Sequence, residues 1–195
     1  LPMTFPLNLF DHASSSNFPM DGDPLDIRSL FIRNNDKPKE EQVKNKDYTN
    51  YEEGIYVGYR HFDKESLKVS YPFGYGLSYT TFEYKDLKLE KSNDVINLNF
   101  KIKNTGDYKG KEVVQIYVSK INSSIDRPLK ELKAFSKTKC LIKDETLELD
   151  FSIPISDLSY WSEENKTWEF ESGSYSFEIG SSSRDIMLNQ IIDIK

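Results

Sequence analysis

Tyr-Pro-Phe-Gly-Tyr-Gly-Leu-Ser-Tyr-Thr-Thr-Phe, residues 71 to 82, is where the chain changes character. Polar, loop-rich sequence precedes it and short alternating strands follow it. Gly74 and Gly76 supply backbone angles that Phe73, Tyr75 and Leu77 do not readily adopt, so the rings can be directed to different sides of a compact bend. Pro72 stiffens the entry and biases Tyr71 towards an extended conformation. So many rings in so short a loop are too apolar to be left in water, which predicts a bend packed between two bodies of structure, the alternative being a loop folded onto a single core. A domain interface is therefore expected at Tyr71, Phe73, Gly74, Tyr75, Gly76 and Tyr79.

Downstream of the bend the pattern is strands throughout. Phe82 and Tyr84, then Leu87 and Leu89, open the first, and Ile96, Leu98, Phe100 and Ile102 alternate with Asn97, Asn99, Lys101 and Lys103 in the second. Asn104-Thr105-Gly106-Asp107 turns the chain, and the nearly unbroken apolar run from Val113 to Val118 predicts a central strand covered on both faces. Leu129, Leu132 and Phe135 follow a charged loop. Leu147, Leu149, Phe151 and Ile153 alternate up to Pro154. Tyr160-Trp161 and Trp168-Phe170 flank the turn Glu163-Glu164-Asn165-Lys166 as a hairpin, and Tyr175 to Ile179 and Ile186 to Ile192 supply the last strands. Seven or so short strands with no helical period among them predict a mainly β chain, a β-sandwich of immunoglobulin-like or fibronectin-like type.

Upstream of the bend, Leu1, Met3 and Phe5 recur at period two and read as a strand already under way, belonging to a sheet outside this chain. Residues 11 to 20 read as loop, Asp21-Gly22-Asp23-Pro24 as a turn, residues 25 to 33 as mildly apolar, and residues 34 to 50 as solvated and mobile. Ile55, Val57 and Tyr59 alternate with Tyr56, Gly58 and Arg60 as a short strand. The tyrosines and phenylalanines from Tyr48 to Tyr79 form a dense aromatic set suited to fixing two bodies in register.

Composition bounds the rest. A chain of 195 residues holds one good core and a smaller remnant. Its net charge of −6, with acids and bases interspersed, leaves no basic stripe for a nucleic acid. No apolar run is long enough to cross a bilayer as a helix, so no membrane partner is expected. Cys140 is the only cysteine, which rules out an intrachain disulfide and a cysteine metal cage. The first residue, Leu1, reads as part of something longer.

Glu53-Gly54-Ile55-Tyr56-Val57-Gly58-Tyr59-Arg60 followed by the 71–82 stretch resembles the segment of glycoside hydrolase family 3 enzymes that leads into their C-terminal fibronectin type III-like domain. Leu1 to Pro6 resembles the end of the family's α/β sandwich. Val113 to Val118, Arg127 to Phe135 and Ile179 to Ile186 resemble successive stretches of its fibronectin-like domain. The resemblance implies a fibronectin type III-like β-sandwich over residues 71–195, preceded over residues 1–70 by a partial α/β-sandwich remnant and extended linker. It also implies a parent enzyme that is an exo-acting, retaining β-glucosidase or β-xylosidase, using two carboxylates about 5–5.5 Å apart. Both lie upstream of anything matched, so no catalytic residue is assigned. The partners implied are the catalytic barrel and α/β sandwich of the same protein, through which glycoside substrate is met, and no cofactor or metal is called for. The substrate-binding residues and the compartment stay open: secreted, lysosomal or vacuolar in a eukaryote, cytoplasmic or periplasmic in a bacterium. The alternative is an independent carbohydrate-binding or adhesion module on the same sandwich.

Several residues are weighed beside this. Glu52-Glu53 is an adjacent acidic pair, but neighbours in a strand face opposite ways and cannot serve one substrate. His12 and His61 lack further ligands at metal spacing and read as packing or surface histidines. Trp161 and Trp168 offer a stacking platform for sugar rings, with core packing expected more often. Asn122-Ser123-Ser124 and Asn165-Lys166-Thr167 match the glycan acceptor pattern and make Asn122 and Asn165 candidate N-glycosylation sites. Arg60 and Arg127 are expected to hold carboxylates or carbonyls at the domain seam.

Overall fold

The computed structural model describes residues 1–17 and 51–195; the expectations for residues 18 to 50, the acidic turn and Tyr48 among them, lie outside the described residues. The strands are β1 (Phe5–Pro6), β2 (Val69–Tyr71), β3 (Phe82–Ser92), β4 (Val95–Asn104), β5 (Val113–Lys120), β6 (Glu131–Lys137), β7 (Thr146–Pro154), β8 (Tyr160–Ser162), β9 (Thr167–Glu169), β10 (Gly173–Gly180) and β11 (Ile186–Ile194). Among the described residues one α-helix, α1, spans Tyr59–Lys64, besides short 3-10 turns.

Seven of these strands make the sandwich. A three-stranded antiparallel sheet in the order β3-β4-β7 faces a four-stranded one in the order β11-β10-β5-β6. The alternation in β4 works as its sequence requires: Ile96, Leu98, Phe100 and Ile102 are buried, with lysines and asparagines on the other face. They meet Val114, Ile116 and Val118 of β5, Tyr175, Phe177 and Ile179 of β10, and Ile153, Leu158 and Ile194 in one core. In β3 the register with β4 shifts between Lys85 and Lys88, where Asp86 takes φ +59 and its carboxylate receives Lys101 Nζ at 2.9 Å.

β5 shows why its sequence is an unbroken apolar run. One face feeds the core, while Gln115 and Tyr117 on the opposite face are buried as well. The cover over that outer face is the segment preceding the sandwich. An outer face of a fibronectin-like sheet is ordinarily solvated, so the run in β5 reports a second packed layer.

Two upstream expectations change. Residues 55 to 59 form no strand: Gly54 and Gly58 both take φ +56, Tyr56 N–H closes a turn on the Glu53 carbonyl at 3.0 Å, and Gly58 caps α1. Left-handed glycines at both ends break the extension that the side-chain alternation suggested. The first strand is only two residues long and pairs within this chain, with Phe5 opposite Tyr71 and Pro6 opposite Val69.

Candidate functional site: the seam between strap and sandwich

Residues 51 to 81 lie as a strap across β5, β6 and the end of β10, and the side chains that hold it there define the seam. Tyr59 sits at its centre. Its ring stacks on Phe73 at 5.2 Å between centroids and meets the Tyr117 ring edge-on at 5.8 Å, while its hydroxyl accepts the Leu132 backbone N–H at 2.9 Å. Beneath it, the Tyr117 hydroxyl donates to Gln115 Oε1 at 2.6 Å, and Gln115 Nε2 donates to the Ser181 carbonyl at 2.5 Å. Burial, with lesser contributions from Tyr59 and Asp63, drives the Tyr117 phenol far above its ordinary range, so it stays a neutral donor.

The bend closes over this network. Gly74 takes φ +84, and a Cβ there would lie 2.2 Å from Gln115 Oε1, so both conformation and space demand glycine. Gly76 has no positive φ and open space around it, which corrects the expectation that both glycines serve the bend alike. The Phe73 carbonyl accepts the Ser183 N–H at 2.9 Å, fixing the bend to the loop after β10. Tyr71 contacts Phe5 edge-on at 6.5 Å and Tyr75 at 4.9 Å. Where the bend ends, the Thr80 hydroxyl donates to Asn104 Oδ1 at 2.6 Å, and Asn104 Nδ2 donates to the Tyr108 and Leu141 carbonyls, all at a buried position. Between these anchors Leu77 and Tyr79 are 89% and 94% exposed.

Charge holds α1. Arg184 Nε reaches Asp63 Oδ1 at 3.0 Å and its Nη2 donates to the Phe62 carbonyl at 3.1 Å. Arg60 pairs with Glu131 at 3.0 Å, and Glu131 also receives Lys133 at 3.2 Å and, more distantly, Arg127 at 3.8 Å. Arg127 Nη2 donates to the Leu158 carbonyl at 2.7 Å. Both arginines therefore hold carboxylates or carbonyls at the seam. Glu171, near Arg127, accepts Ser123 Oγ and the Ser124 N–H at 2.7 Å each. Burial alone would raise the Glu171 pKa, but these hydrogen bonds outweigh it and leave the carboxyl below its usual range. The Tyr56 hydroxyl donates to Asp126, and Lys64 lies 3.3 Å above the Tyr56 ring.

The remaining sequence candidates are placed as follows. His12 and His61, remote in sequence, both lie edge-on to the buried Phe62 ring, and His61 Nε2 is 2.9 Å from the Asp11 carbonyl. Among the described residues no group of three or more His, Cys, Asp or Glu is arranged to hold a metal ion. Glu52 is exposed and Glu53 partly buried. Cys140 is exposed. Asn122 is exposed at φ +51, and Asn165 is exposed with its Nδ2 donating to Glu169 Oε1 at 2.6 Å. Trp161 and Trp168 pair across β8 and β9 at 5.8 Å, 44% and 67% exposed, so neither packs in the core as expected; Phe170 does, stacked on Tyr175. Tyr59 belongs to the aromatic set expected between Tyr48 and Tyr79 and lies in the seam; Gln115 and Tyr117 are not singled out by sequence as its partners, although a glutamine inside the apolar run of β5 is a signal for them.

Two antiparallel sheets packed over one core make a β-sandwich of fibronectin type III-like form, with a strap fastened across the outer face of one sheet. Residues 112–183 match the family model of the fibronectin type III-like domain. The whole chain is 36% identical to thermostable beta-glucosidase B of Acetivibrio thermocellus over 198 residues, and covers 23% of that protein. A Kluyveromyces marxianus beta-glucosidase is 46% identical over 116 residues, covering 58% of this chain and 14% of its own. Among solved structures, beta-glucosidase 3B from Thermotoga neapolitana in complex with alpha-D-glucose superposes with TM-score 0.80 at 37% identity, covering 99% of this chain and 24% of that one. The Bifidobacterium adolescentis GH3 beta-glucosidase gives TM-score 0.82 at 32% identity over 98% of this chain and 25% of that one. By sequence and structure the chain is a homologue of one segment of the glycoside hydrolase family 3 β-glucosidases, and spans about a quarter of the length of those it matches throughout.

Proposed function

We propose that this chain is the non-catalytic C-terminal portion of an exo-acting, retaining β-glycosidase of β-glucosidase type, which removes terminal non-reducing β-D-glycosyl residues. In this reading residues 1–70 complete the α/β sandwich domain and its linker, and residues 71–195 form the fibronectin type III-like domain. The domain braces the catalytic barrel and α/β sandwich, with Tyr71, Phe73, Gly74, Tyr75, Gly76 and Tyr79 at or beside the contact. Glycoside substrate is met only through those other domains, whose paired carboxylates do the chemistry.

The observation that carries this is the exposure of Leu77 and Tyr79 at the apex of an otherwise tightly anchored bend. Two large side chains exposed close together on an anchored bend offer an apolar surface that a neighbouring body can cover. Homology of the whole chain to one quarter of β-glucosidases supports reading that cover as the remaining domains of the same protein.

The experiment is complementation. A polypeptide carrying the catalytic domains without this segment should hydrolyse an aryl β-glucoside poorly, and adding the 195-residue chain should raise both rate and thermal stability. No gain in either would overturn the bracing role.

A further inference from the structure

The β8–β9 hairpin adjoins the Glu131 and Leu132 edge of the seam but has no assigned task in the bracing role. Its two strands are three residues each and pair only with one another. The Trp161 and Trp168 rings meet at 71°, so Trp161 backs Trp168 edge-on and steadies it while most of the Trp168 indole stays in solvent. Neither indole N–H has a hydrogen-bond partner among the described residues.

Trp168 forms one wall of an open cleft of about 680 Å³. The facing walls are Glu131 and Lys133 of β6 and the turn carrying Ser156, Asp157 and Ser159. Elsewhere on this surface polar side chains are paired: Tyr160 and Asn165 with Glu169, Lys166 with Glu163, Ser123 and Ser124 with Glu171. The side chains of Ser156, Asp157 and Ser159 have no such partner among the described residues and border the cleft. The site thus combines a steadied aromatic face, an unpaired carboxylate, two free hydroxyls and a lysine, in a volume suited to a small ligand.

From this we infer that the cleft binds a neutral carbohydrate, one or two pyranose units of a β-linked oligosaccharide. A β-pyranose presents a face of axial C–H groups that stacks on an indole, ringed by equatorial hydroxyls. Asp157 accepts from those hydroxyls, Ser156 and Ser159 both donate and accept, and Lys133 donates. The proposed function enters only in choosing β-1,4-linked gluco- and xylo-oligosaccharides as first probes.

These are the chain's only tryptophans, so intrinsic fluorescence of the 195-residue chain reports the site directly. Titration with cellotetraose and xylotetraose to millimolar concentration should give saturable quenching with one of them. Trp168→Ala should weaken binding, followed by calorimetry, at least about tenfold. Asp157→Ala, on an exposed turn, should weaken it about threefold or more while leaving the melting temperature unchanged. Three outcomes would overturn the site: no saturable change with either sugar, binding that survives Trp168→Ala, or quenching produced by the catalytic polypeptide and not by sugar. None of these depends on complementation, so failure here is distinguishable from failure of the bracing role.

Discussion

Phe73 stacks on Tyr59 at 5.2 Å within the strap, one ring from the bend and the other from α1, and Tyr59 crosses the seam to meet Tyr117 of the sandwich edge-on. Three tyrosine and phenylalanine rings from separate elements thus make one joint. Phe73 is only partly buried, so Phe73→Ala should cost about 2 kcal/mol rather than the 3–5 of a fully buried ring. Tyr59→Phe keeps the stack and loses the bond to Leu132 N–H, costing about 1 kcal/mol. Chemical denaturation of both variants checks the order; equal stability of the two would mean that stacking contributes nothing here.

The two glycines of the bend should separate sharply. At Gly74 a methyl group meets Gln115 Oε1, and Gln115 cannot swing aside without leaving its bonds to Tyr117 and Ser181. With φ at +84 added, Gly74→Ala should lower stability by about 2–3 kcal/mol. Gly76→Ala, in open space, should stay within about 0.5 kcal/mol. Thermal melts of the pair decide it.

The sandwich was legible because β4 and β7 alternate cleanly and turn residues separate the strands, and period two is a local property of sequence. The strand at residues 55 to 59 misread because alternation of side chains does not reveal glycine φ, and Gly54 and Gly58 turn the chain in both places. The tryptophans misread because aromatic residues are usually buried, yet a hairpin paired only with itself has no core to enter. Seam contacts such as Arg184 to Asp63 join residues far apart in sequence and leave no local trace.

Alkaline pH should loosen the fold. Burial raises the pKa of Tyr84 and Tyr117 above the ordinary value of 10.0, so the folded state holds their protons longer than the unfolded state does. Stability from this source is complete below about pH 10 and falls as pH rises further. Denaturation midpoints measured from pH 8 to 11 should decline above 10. The decline should be shallower in Tyr84→Phe, whose buried hydroxyl has no partner and is therefore cheap to remove. An unchanged slope in that variant would refute the assignment.

The clasp on α1 gives a prediction that separates local from global stability. Arg184 spans Asp63 and the Phe62 carbonyl, tying the helix to the loop between β10 and β11, and it is the partly exposed member of the pair. Its loss leaves Asp63 largely buried, with Lys130 at 3.9 Å as the nearest remaining cation. Removing one partner of a half-screened pair costs about 1 kcal/mol at such a site. The sandwich core, which does not include α1, should be untouched. Arg184→Ala should therefore leave the main unfolding transition within about 0.5–1 kcal/mol while proteolysis between Tyr51 and Tyr71 accelerates several-fold, as expected when the strap opens locally. Arg184→Lys, which keeps the charge but cannot reach both acceptors at once, should fall between. Should cleavage in the strap be no faster in either variant, Arg184 would not be what fastens α1.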